Sequence, residues 1–316
     1  MKKKIIYPIV YGVLVLLLIL ATFCDLSISK ALASVPKNEY FSNNFFANFF
    51  ECFGEIPVFL ILGASVWVVG YNLAYKKENY KTIIFIITGV LSFFVFCLCL
   101  MRCIEALGEV YDFTNDLDSS IGDEICIILF SLVCIAICIL LTLNLGKEKF
   151  EKVFLFCLTF VIIALASFLI TQILKAIFSR PRFRALSEIG YRYYSPWYKP
   201  STIDPSKFNY ANIIVDDGFV SFPSGHTSWI TCSLTLAFLP RFINISKKAQ
   251  LYFTIIPAVF TILVAFSRII AGAHFLSDVV FSLIFTLLLE ELTVFVVLKL
   301  KNRKGKKNKE IEEVKE

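Results

Sequence analysis

Polar and charged residues interrupt an otherwise hydrophobic sequence at three places whose residue types fit chemistry on an anion. The first cluster runs from Lys175 to Arg184, the second from Ser221 to Thr227, and the third from Ser267 to Asp278. Charged groups at membrane depth are costly, so each cluster is a candidate functional site. The chain has only two histidines, and both lie in these clusters.

The third cluster pairs a histidine with an aspartate. His274 and Asp278 are four residues apart, which places them on one face of a helix. A carboxylate that accepts from one ring nitrogen fixes the tautomer and leaves the other nitrogen able to attack. Gly272 allows the chain to turn between Arg268 and His274. We predict that one helix ends near Arg268 and another begins near His274; a structural ion pair is the alternative.

The first cluster concentrates positive charge at the end of an apolar segment. Lys175, Arg180, Arg182 and Arg184 lie within ten residues. Positive charge at an outer membrane face opposes the usual loop bias, and an anionic substrate would explain it. The planar fork of arginine fits phosphate oxygens in particular. Anchoring to lipid headgroups is the alternative.

The second cluster has the features of a helix start. Ser224 and Gly225 come just before an apolar segment, and His226 follows them directly. Free backbone N–H groups at a helix N-terminus bind anions, whereas an ordinary helix cap is the alternative. Two histidines beside several cations favour phosphoryl transfer, in which one histidine attacks phosphorus and the other protonates the leaving oxygen. Since side chains supply the positive charge, we predict no metal or other cofactor.

The composition is that of a membrane protein. The chain has 316 residues, of which 58% are hydrophobic and 18% are charged, whereas soluble domains carry about 25% charged residues. We predict an all-α polytopic membrane protein with about eight transmembrane helices. The predicted spans start near Ile5, Pro57, Thr82, Ile125, Val153, His226, Leu251 and His274.

Basic loops predict the orientation in the membrane. Lysine and arginine concentrate in Lys76–Lys81, Lys147–Lys152, Arg241–Lys248 and the tail from 299 to 316, whereas the 105–124 loop is acidic. The positive-inside rule then places both termini in the cytoplasm and the three clusters on the outer face of the plasma membrane. We therefore interpret the formal charge of +6 as a sign of the orientation in the membrane and not of nucleic-acid binding. We expect the tail to be disordered.

The N-terminal part allows several interpretations. We favour a first transmembrane helix over a cleaved signal peptide, because the apolar run is long and Asp25 and Lys30 lie in the cleavage region. The phenylalanine-rich segment from Phe41 to Phe53 fits an amphipathic helix in the outer interface or a helix packed against the bundle. A disulfide among Cys24, Cys52, Cys103 and Cys126 is an open possibility, but no spacing signature supports one.

The three clusters together resemble the signature of the type 2 phosphatidic acid phosphatase superfamily, which is related to vanadium haloperoxidases. Lys175 followed seven residues later by Arg182 resembles the first motif, although Phe183 replaces the expected proline. Arg180-Pro181 just before it leaves two arginines as alternative phosphate contacts. The second motif, Pro-Ser-Gly-His, is matched by 223–226, and the third by 267–278.

The resemblance implies a role for each matched residue. His274 would be the nucleophile that forms a phosphohistidine, Asp278 would orient it, and His226 would be the general acid. The phosphate would be held by Lys175, Arg182, Ser224, Gly225 and Arg268. The implied fold is a six-helix phosphatase core over 82–298, preceded by a two-span extension over 1–81 and followed by the basic tail over 299–316.

The implied function is that of a metal-independent membrane lipid phosphatase acting at the outer face. Family members hydrolyse undecaprenyl diphosphate and phosphatidate, among other lipids, and we expect the same substrate class here. A lipid phosphotransferase and a non-catalytic transporter of anions or lipids are the alternatives. The expected partners are the lipid phosphate and the surrounding membrane lipids, with no nucleic acid, and the sequence leaves the oligomeric state open.

Overall fold

The all-α prediction is confirmed by a computed structural model, which describes residues 3–36, 40–111, 121–208 and 215–313. These ranges contain ten α-helices and no strand. The helices are α1 (Lys3–Leu32), α2 (Phe45–Phe53), α3 (Ile56–Lys76), α4 (Lys81–Tyr111), α5 (Ile121–Phe178), α6 (Phe183–Ile189), α7 (Val215–Gly218), α8 (Gly225–Thr231), α9 (Lys247–Ile270) and α10 (Leu276–Glu313).

Within the described ranges, seven helical segments are long and apolar enough to cross a membrane. They are Pro8–Leu32, Phe45–Lys76, Glu78–Gly108, Gly122–Asn144, Lys152–Ile189, Lys247–Ile270 and Leu276–Arg303. The remaining predicted span, the sixth, has a different local structure. It begins as α8, with 7 residues, and continues as a 3₁₀ helix of 10 residues over Cys232–Arg241. Because a 3₁₀ helix rises about 2.0 Å per residue and an α-helix 1.5 Å, this short segment reaches about 30 Å, the thickness of the hydrocarbon core.

Two polar segments differ from their predicted structure. The connection Lys147–Lys152 lies inside the 58-residue helix α5, so the fourth and fifth predicted spans share one continuous helix. The tail was expected to be disordered, but α10 continues through it to Glu313. Lysine and glutamate are strong helix formers, so these polar stretches extend a helix where a loop was expected. Most of the acidic 105–124 loop lies outside the described residues, and the membrane orientation stays a prediction.

The N-terminal helices pack closely against the rest of the bundle. Helix α1 lies against α10, α2 against α9, and α3 against both α4 and α5. One apolar core joins five helices through buried side chains. These are Phe50 from α2, Leu62 from α3, Phe160 from α5, Ile230 from α8 and Val264 from α9. The division at residue 81 stays a prediction, while the packing shows that the extension contributes to the common core.

The phenylalanine-rich segment forms helix α2, which starts at a cap formed by Asn44. The Asn44 side chain accepts from the backbone N–H of Ala47, as is typical of an N-cap. Ala47 and Phe50 are buried, whereas Phe45 on the other face is 74% exposed. The alternative of a helix packed against the bundle is therefore correct for one face of α2. No disulfide links any of the ten cysteines, all of which lie in described residues.

Candidate active site

The structure brings the three clusters together at one end of the bundle. The backbone N–H of Ser221 in the second cluster donates to the carbonyl of Arg180 in the first, at 2.9 Å. The N–H of Arg184 in the first cluster donates to the carbonyl of Gly272 in the third, at 2.8 Å. These bonds join segments that are separated by 41 and 88 positions in the sequence. The predicted convergence of the clusters is confirmed.

His274 lies in the turn between α9 and α10, where the sequence predicted a break. Helix α9 ends at Ile270, and α10 begins at Leu276. Gly272 makes the turn with a φ of 64°, a conformation that favours glycine. A Cβ atom there would also lie 2.7 Å from Cγ2 of Val35. Both observations explain why a glycine occupies this position.

The tautomer of His274 is fixed by a backbone carbonyl. Its Nδ1 lies 2.6 Å from the carbonyl oxygen of Ser221, which can only accept, so Nδ1 carries the hydrogen. Nε2 is then the nitrogen with a lone pair. Asp278 Oδ2 is 3.9 Å from Nδ1, too far for a hydrogen bond. The predicted proximity of His274 and Asp278 is confirmed, but the prediction that Asp278 accepts directly from the ring is wrong, because Ser221 takes that place.

Asp278 instead holds two groups next to His274, the backbone of the following residue and the side chain of Ser221. Its Oδ2 accepts from the N–H of Phe275 at 2.8 Å and from the hydroxyl of Ser221 at 2.6 Å. The first bond is the return half of a capping box at the start of α10. The second holds the residue whose carbonyl binds the ring of His274. Asp278 therefore orients His274 through Ser221.

The surroundings of His274 favour its neutral form. Burial, reinforced by the positive charges of Arg182, Lys175 and Arg268, places the pKa of His274 well below its ordinary value. The hydrogen bond to Ser221 acts in the opposite direction and is outweighed. A neutral imidazole with a free Nε2 is the form needed for nucleophilic attack.

Histidine NMR can test this protonation state, because the chain has only two histidines. Since the environment disfavours the imidazolium, the His274 ring signal should remain that of the neutral form as the pH falls through 6.5, the ordinary value. The measurement is a pH titration of histidine-labelled protein in phosphate-free detergent solution, with His226→Ala used to assign the signals. A midpoint at or above pH 6.5 would contradict the expected environment.

Three arginines alternate with two carboxylates beside His274. Asp217 joins two of them, with its Oδ1 2.5 Å from Nη2 of Arg182 and its Oδ2 2.5 Å from Nη2 of Arg184. Glu51 from α2 lies 2.8 Å from Nη2 of Arg268 and 3.7 Å from Nη1 of Arg184. Burial alone would raise the pKa of Asp217, but Arg182 and Arg184 lower it below its ordinary value. Asp217 therefore stays a carboxylate and fixes both side chains.

Several donor nitrogens of these arginines are buried without a hydrogen-bond partner. Among the described residues, no hydrogen bond is made by Nε of Arg182, by Nε and Nη1 of Arg184, or by Nε and Nη1 of Arg268. Buried donors in native proteins are nearly always satisfied, and a charged donor left unpaired is especially costly. Nitrogens of this kind on Arg182 and Arg268, whose charges act on His274, indicate a site for an anion with several oxygens, such as phosphate.

His226 faces the same region from the start of α8. Its Nε2 lies 3.3 Å from the carbonyl oxygen of Glu51, and its Nδ1 lies 3.8 Å from Oε1 of Glu55. A cavity of about 150 Å³ is lined by His226 together with Arg182, Arg184 and both glutamates. The predicted general acid and two of the arginines therefore face a common space.

Lys175 and Gly225 are also brought together as the first two motifs require. A Cβ atom on Gly225 would lie 3.3 Å from Nζ of Lys175, so the glycine allows the amine to approach the backbone. Ser224 has a different position from the one expected of a phosphate ligand. Its buried hydroxyl caps α8 by contacting the N–H and the hydroxyl of Thr227. The structure gives the Ser224 hydroxyl a capping role.

Gly225→Ala should lower activity without unfolding the protein. The added methyl group would displace the flexible end of Lys175 by a few tenths of an ångström, which strains the fold little but moves a phosphate-binding charge. We expect kcat/KM to fall by roughly tenfold, because misplaced groups lose transition-state stabilisation. Activity assays and thermal unfolding of the same preparations check this. Unchanged kinetics would show that the lysine position does not matter.

The donors of Arg180 are occupied by other groups, which disfavours it as the phosphate-binding arginine. Nε donates to the carbonyl of Ser195 at 2.8 Å, and Nη1 contacts Ser277 and Asp278. Nη2 donates to Asp25 at 3.0 Å and to Tyr194 at 3.2 Å. Arg182, with an unpaired Nε, is the better candidate, in agreement with its spacing from Lys175.

Comparison with protein-family models bears on the same segment. Residues 154–302 match the family model described as PAP2 superfamily. This part of the chain is therefore similar to the PAP2 superfamily. The matched region contains all three clusters and confirms the resemblance predicted from them.

Searches of curated proteins and of solved structures found no match. A PAP2 match in a chain whose described residues include seven apolar helical segments long enough to cross a membrane indicates a membrane protein of phosphatase type.

The PAP2 region does not include every residue of the site. Asp25 and Glu51 come from helices α1 and α2, ahead of the match, and sequence analysis assigned no site role to either. Asp217 lies inside the match, between the first and second motifs, and sequence analysis assigned no role to it either. An aspartate in a largely apolar segment was a usable sequence signal for Asp25. Pairing with particular arginines could be seen only in the folded chain.

Proposed function

We propose that this protein is an integral membrane phosphatase that hydrolyses a lipid phosphate ester or diphosphate through a phosphohistidine. The observation that carries the proposal is the set of buried guanidinium nitrogens on Arg182 and Arg268 that make no hydrogen bond, beside His274, whose Nε2 is available for attack. The match to the PAP2 superfamily and the apolar helical segments support the proposal, because together they indicate a membrane protein of phosphatase type.

The proposed reaction has two steps. In the first, Nε2 of His274 attacks phosphorus, a P–N bond forms, and the bond to the leaving oxygen breaks as His226 donates a proton to that oxygen. In the second, His226 accepts a proton from water, and the oxygen of that water attacks the phosphohistidine. The P–N bond then breaks, which releases inorganic phosphate and restores neutral His274.

Four cations are placed to stabilise the charge that develops on the phosphoryl oxygens. They are Lys175, Arg182, Arg184 and Arg268, against the two carboxylates in contact with the arginines. Because Asp217 and Glu51 already hold these arginines in place, little reorganisation is required during the reaction. The side chains thus supply the electrostatic stabilisation that phosphoryl transfer depends on.

The membrane setting supports a lipid as substrate. The site lies at the junction of α9 and α10, and large apolar side chains on both helices are exposed on the outside of the bundle, including Ile256, Ile262, Leu292 and Phe295. A lipid phosphate can place its headgroup in the site while its chains stay in the bilayer. The charge distribution of the loops supports a site on the outer face of the plasma membrane.

A substrate panel tests the proposal. Purified protein in detergent would be given undecaprenyl diphosphate, phosphatidate and a soluble phosphomonoester, with and without a chelator. We expect phosphate release from a lipid substrate, undiminished by the chelator. Reaction in ¹⁸O-labelled water should label the released phosphate, whereas transfer to an alcohol would yield a new phospholipid instead. If folded protein releases phosphate from no lipid, the proposal is wrong, and formation of a new phospholipid would then favour the phosphotransferase.

A further inference from the structure

Helix α1 places a buried carboxylate directly behind the His274 turn. Asp25 is 1% exposed and lies well outside the PAP2 region. Its Oδ1 accepts from the backbone N–H of Ser277 at 2.9 Å, and its Oδ2 accepts from Nη2 of Arg180 at 3.0 Å. The hydroxyl of Ser277 also donates to Oδ2. One aspartate of the N-terminal extension therefore contacts both the start of α10 and the first motif cluster.

These contacts continue through Arg180 to the nucleophile. Nη1 of Arg180 contacts Oδ1 of Asp278, the carboxylate that holds the backbone of Phe275 and the hydroxyl of Ser221. Ser221 in turn accepts from the ring of His274. The path from Asp25 to His274 thus consists of ion pairs and hydrogen bonds among residues that are nearly inaccessible to solvent, and its last bond runs from the His274 ring to the backbone carbonyl of Ser221.

The charge arrangement explains why a second carboxylate is useful here. Arg180 lies between Asp25 and Asp278, with one terminal nitrogen directed to each. If Asp25 lost its charge, the guanidinium would be attracted to Asp278 alone. That attraction competes with the bonds from Asp278 to Ser221 and Phe275, which orient the His274 ring. Asp25 also satisfies an N–H in the first turn of α10, where a helix has unpaired donors and favours negative charge.

We propose that Asp25 is a positioning residue for the phosphoryl-transfer reaction, which it supports by holding Arg180 and the first turn of α10 so that Asp278 and Ser221 orient His274. This proposal rests on the proposed phosphatase function. It makes helix α1 part of the catalytic assembly, although α1 lies outside the region that carries the motifs.

The kinetic test compares Asp25→Asn with a matched change on the same helix. Asparagine keeps the shape of the side chain and removes its charge. We expect kcat to fall between about tenfold and a hundredfold, with KM and inhibition by inorganic phosphate changed by less than about twofold, because the phosphate-binding arginines are untouched. The control is Thr22→Val, which removes the bond from Trp197 to α1 at 3.0 Å but does not contact Arg180. It should retain the wild-type kcat.

Hydrogen exchange provides a readout that needs no substrate. In Asp25→Asn, amides of the 273–278 segment should exchange at least about tenfold faster, since the Ser277 N–H loses its charged acceptor and the turn loosens. The same amides in Thr22→Val, and those of α9 in both variants, should be unchanged. The proposal is overturned if exchange in 273–278 is unaltered, or if exchange rises while kcat stays at the wild-type value. If the wild-type protein hydrolyses no lipid phosphate, the phosphatase proposal fails, and exchange alone decides whether Asp25 holds the turn.

Discussion

Replacing His274 by alanine is expected to abolish turnover of a lipid phosphate, with a loss of about 10⁴-fold or more. Loss of a nucleophile removes the covalent route entirely and leaves only the residual effects of binding and electrostatics. The fold should tolerate the change, because the turn is held by Gly272 and by the bonds of Asp278 to the backbone. The measurement is the release of labelled phosphate from the best substrate of the panel, together with thermal unfolding of the variant.

Comparison with His226→Ala tests whether the two histidines have different roles in the reaction. The general acid is needed when the leaving group is an alkoxide, but not when it is a stabilised aryl oxide. His226→Ala should therefore still form the phosphoenzyme from an aryl phosphate and accumulate it, since the same residue is proposed to activate water in the second step. His274→Ala should form none from either substrate. Acid-labile, base-stable label on His274 is the signature to be sought by mass spectrometry.

Two results would contradict the assigned roles. Substantial phosphatase activity in His274→Ala would exclude His274 as the nucleophile. Label found on His226 in the wild-type protein would mean that the roles of the two histidines are exchanged. Full transport of a lipid or anion by His274→Ala, without hydrolysis by the wild type, would instead favour the non-catalytic transporter.

The helical framework could be predicted from the sequence because its signals are local. Long apolar runs and the turn at Gly272 depend on neighbouring residues, and the structure has helices and a break at those places. The polar tail was mispredicted for a related reason, since composition alone does not separate a solvated helix from a disordered chain. The sixth span was predicted, but its 3₁₀ geometry has no clear signature in the sequence.

The candidate site was predictable in its residue types and less so in its pairings. Motif spacing identified His274, His226 and Asp278 correctly as neighbours of the arginines. The partner of the His274 ring could not be foreseen, because it is the backbone carbonyl of Ser221, and backbone groups are the same at every position. Asp25 and Glu51 were not predicted as site residues for another reason. Their partners lie more than 130 positions away in the sequence, so only the packing of α1 and α2 reveals them.

Arg180→Ala and Arg182→Ala should separate structural from substrate-binding arginines. Arg180 makes bonds through all three of its nitrogens and separates two buried carboxylates. Its removal would leave Asp25 and Asp278 uncompensated, which typically costs about 3–5 kcal/mol in the free energy of unfolding. Arg182 shares Asp217 with Arg184 and has an unpaired buried nitrogen. Its removal should change the free energy of unfolding by no more than about 1 kcal/mol, since a buried unsatisfied donor disappears with it.

Arg182→Ala should therefore affect phosphate binding and activity more than stability, whereas Arg180→Ala should affect stability more than phosphate binding. Arg182→Ala should raise the inhibition constant for inorganic phosphate and lower kcat/KM by roughly a hundredfold, which is the size expected for loss of a preorganised charge at the transition state. Arg180→Ala should lower the unfolding temperature in detergent far more than Arg182→Ala does, while the fraction that remains folded binds phosphate nearly as the wild type. A selective loss of phosphate binding in Arg180→Ala, with its stability retained, would reverse the assignment and make Arg180 the phosphate ligand.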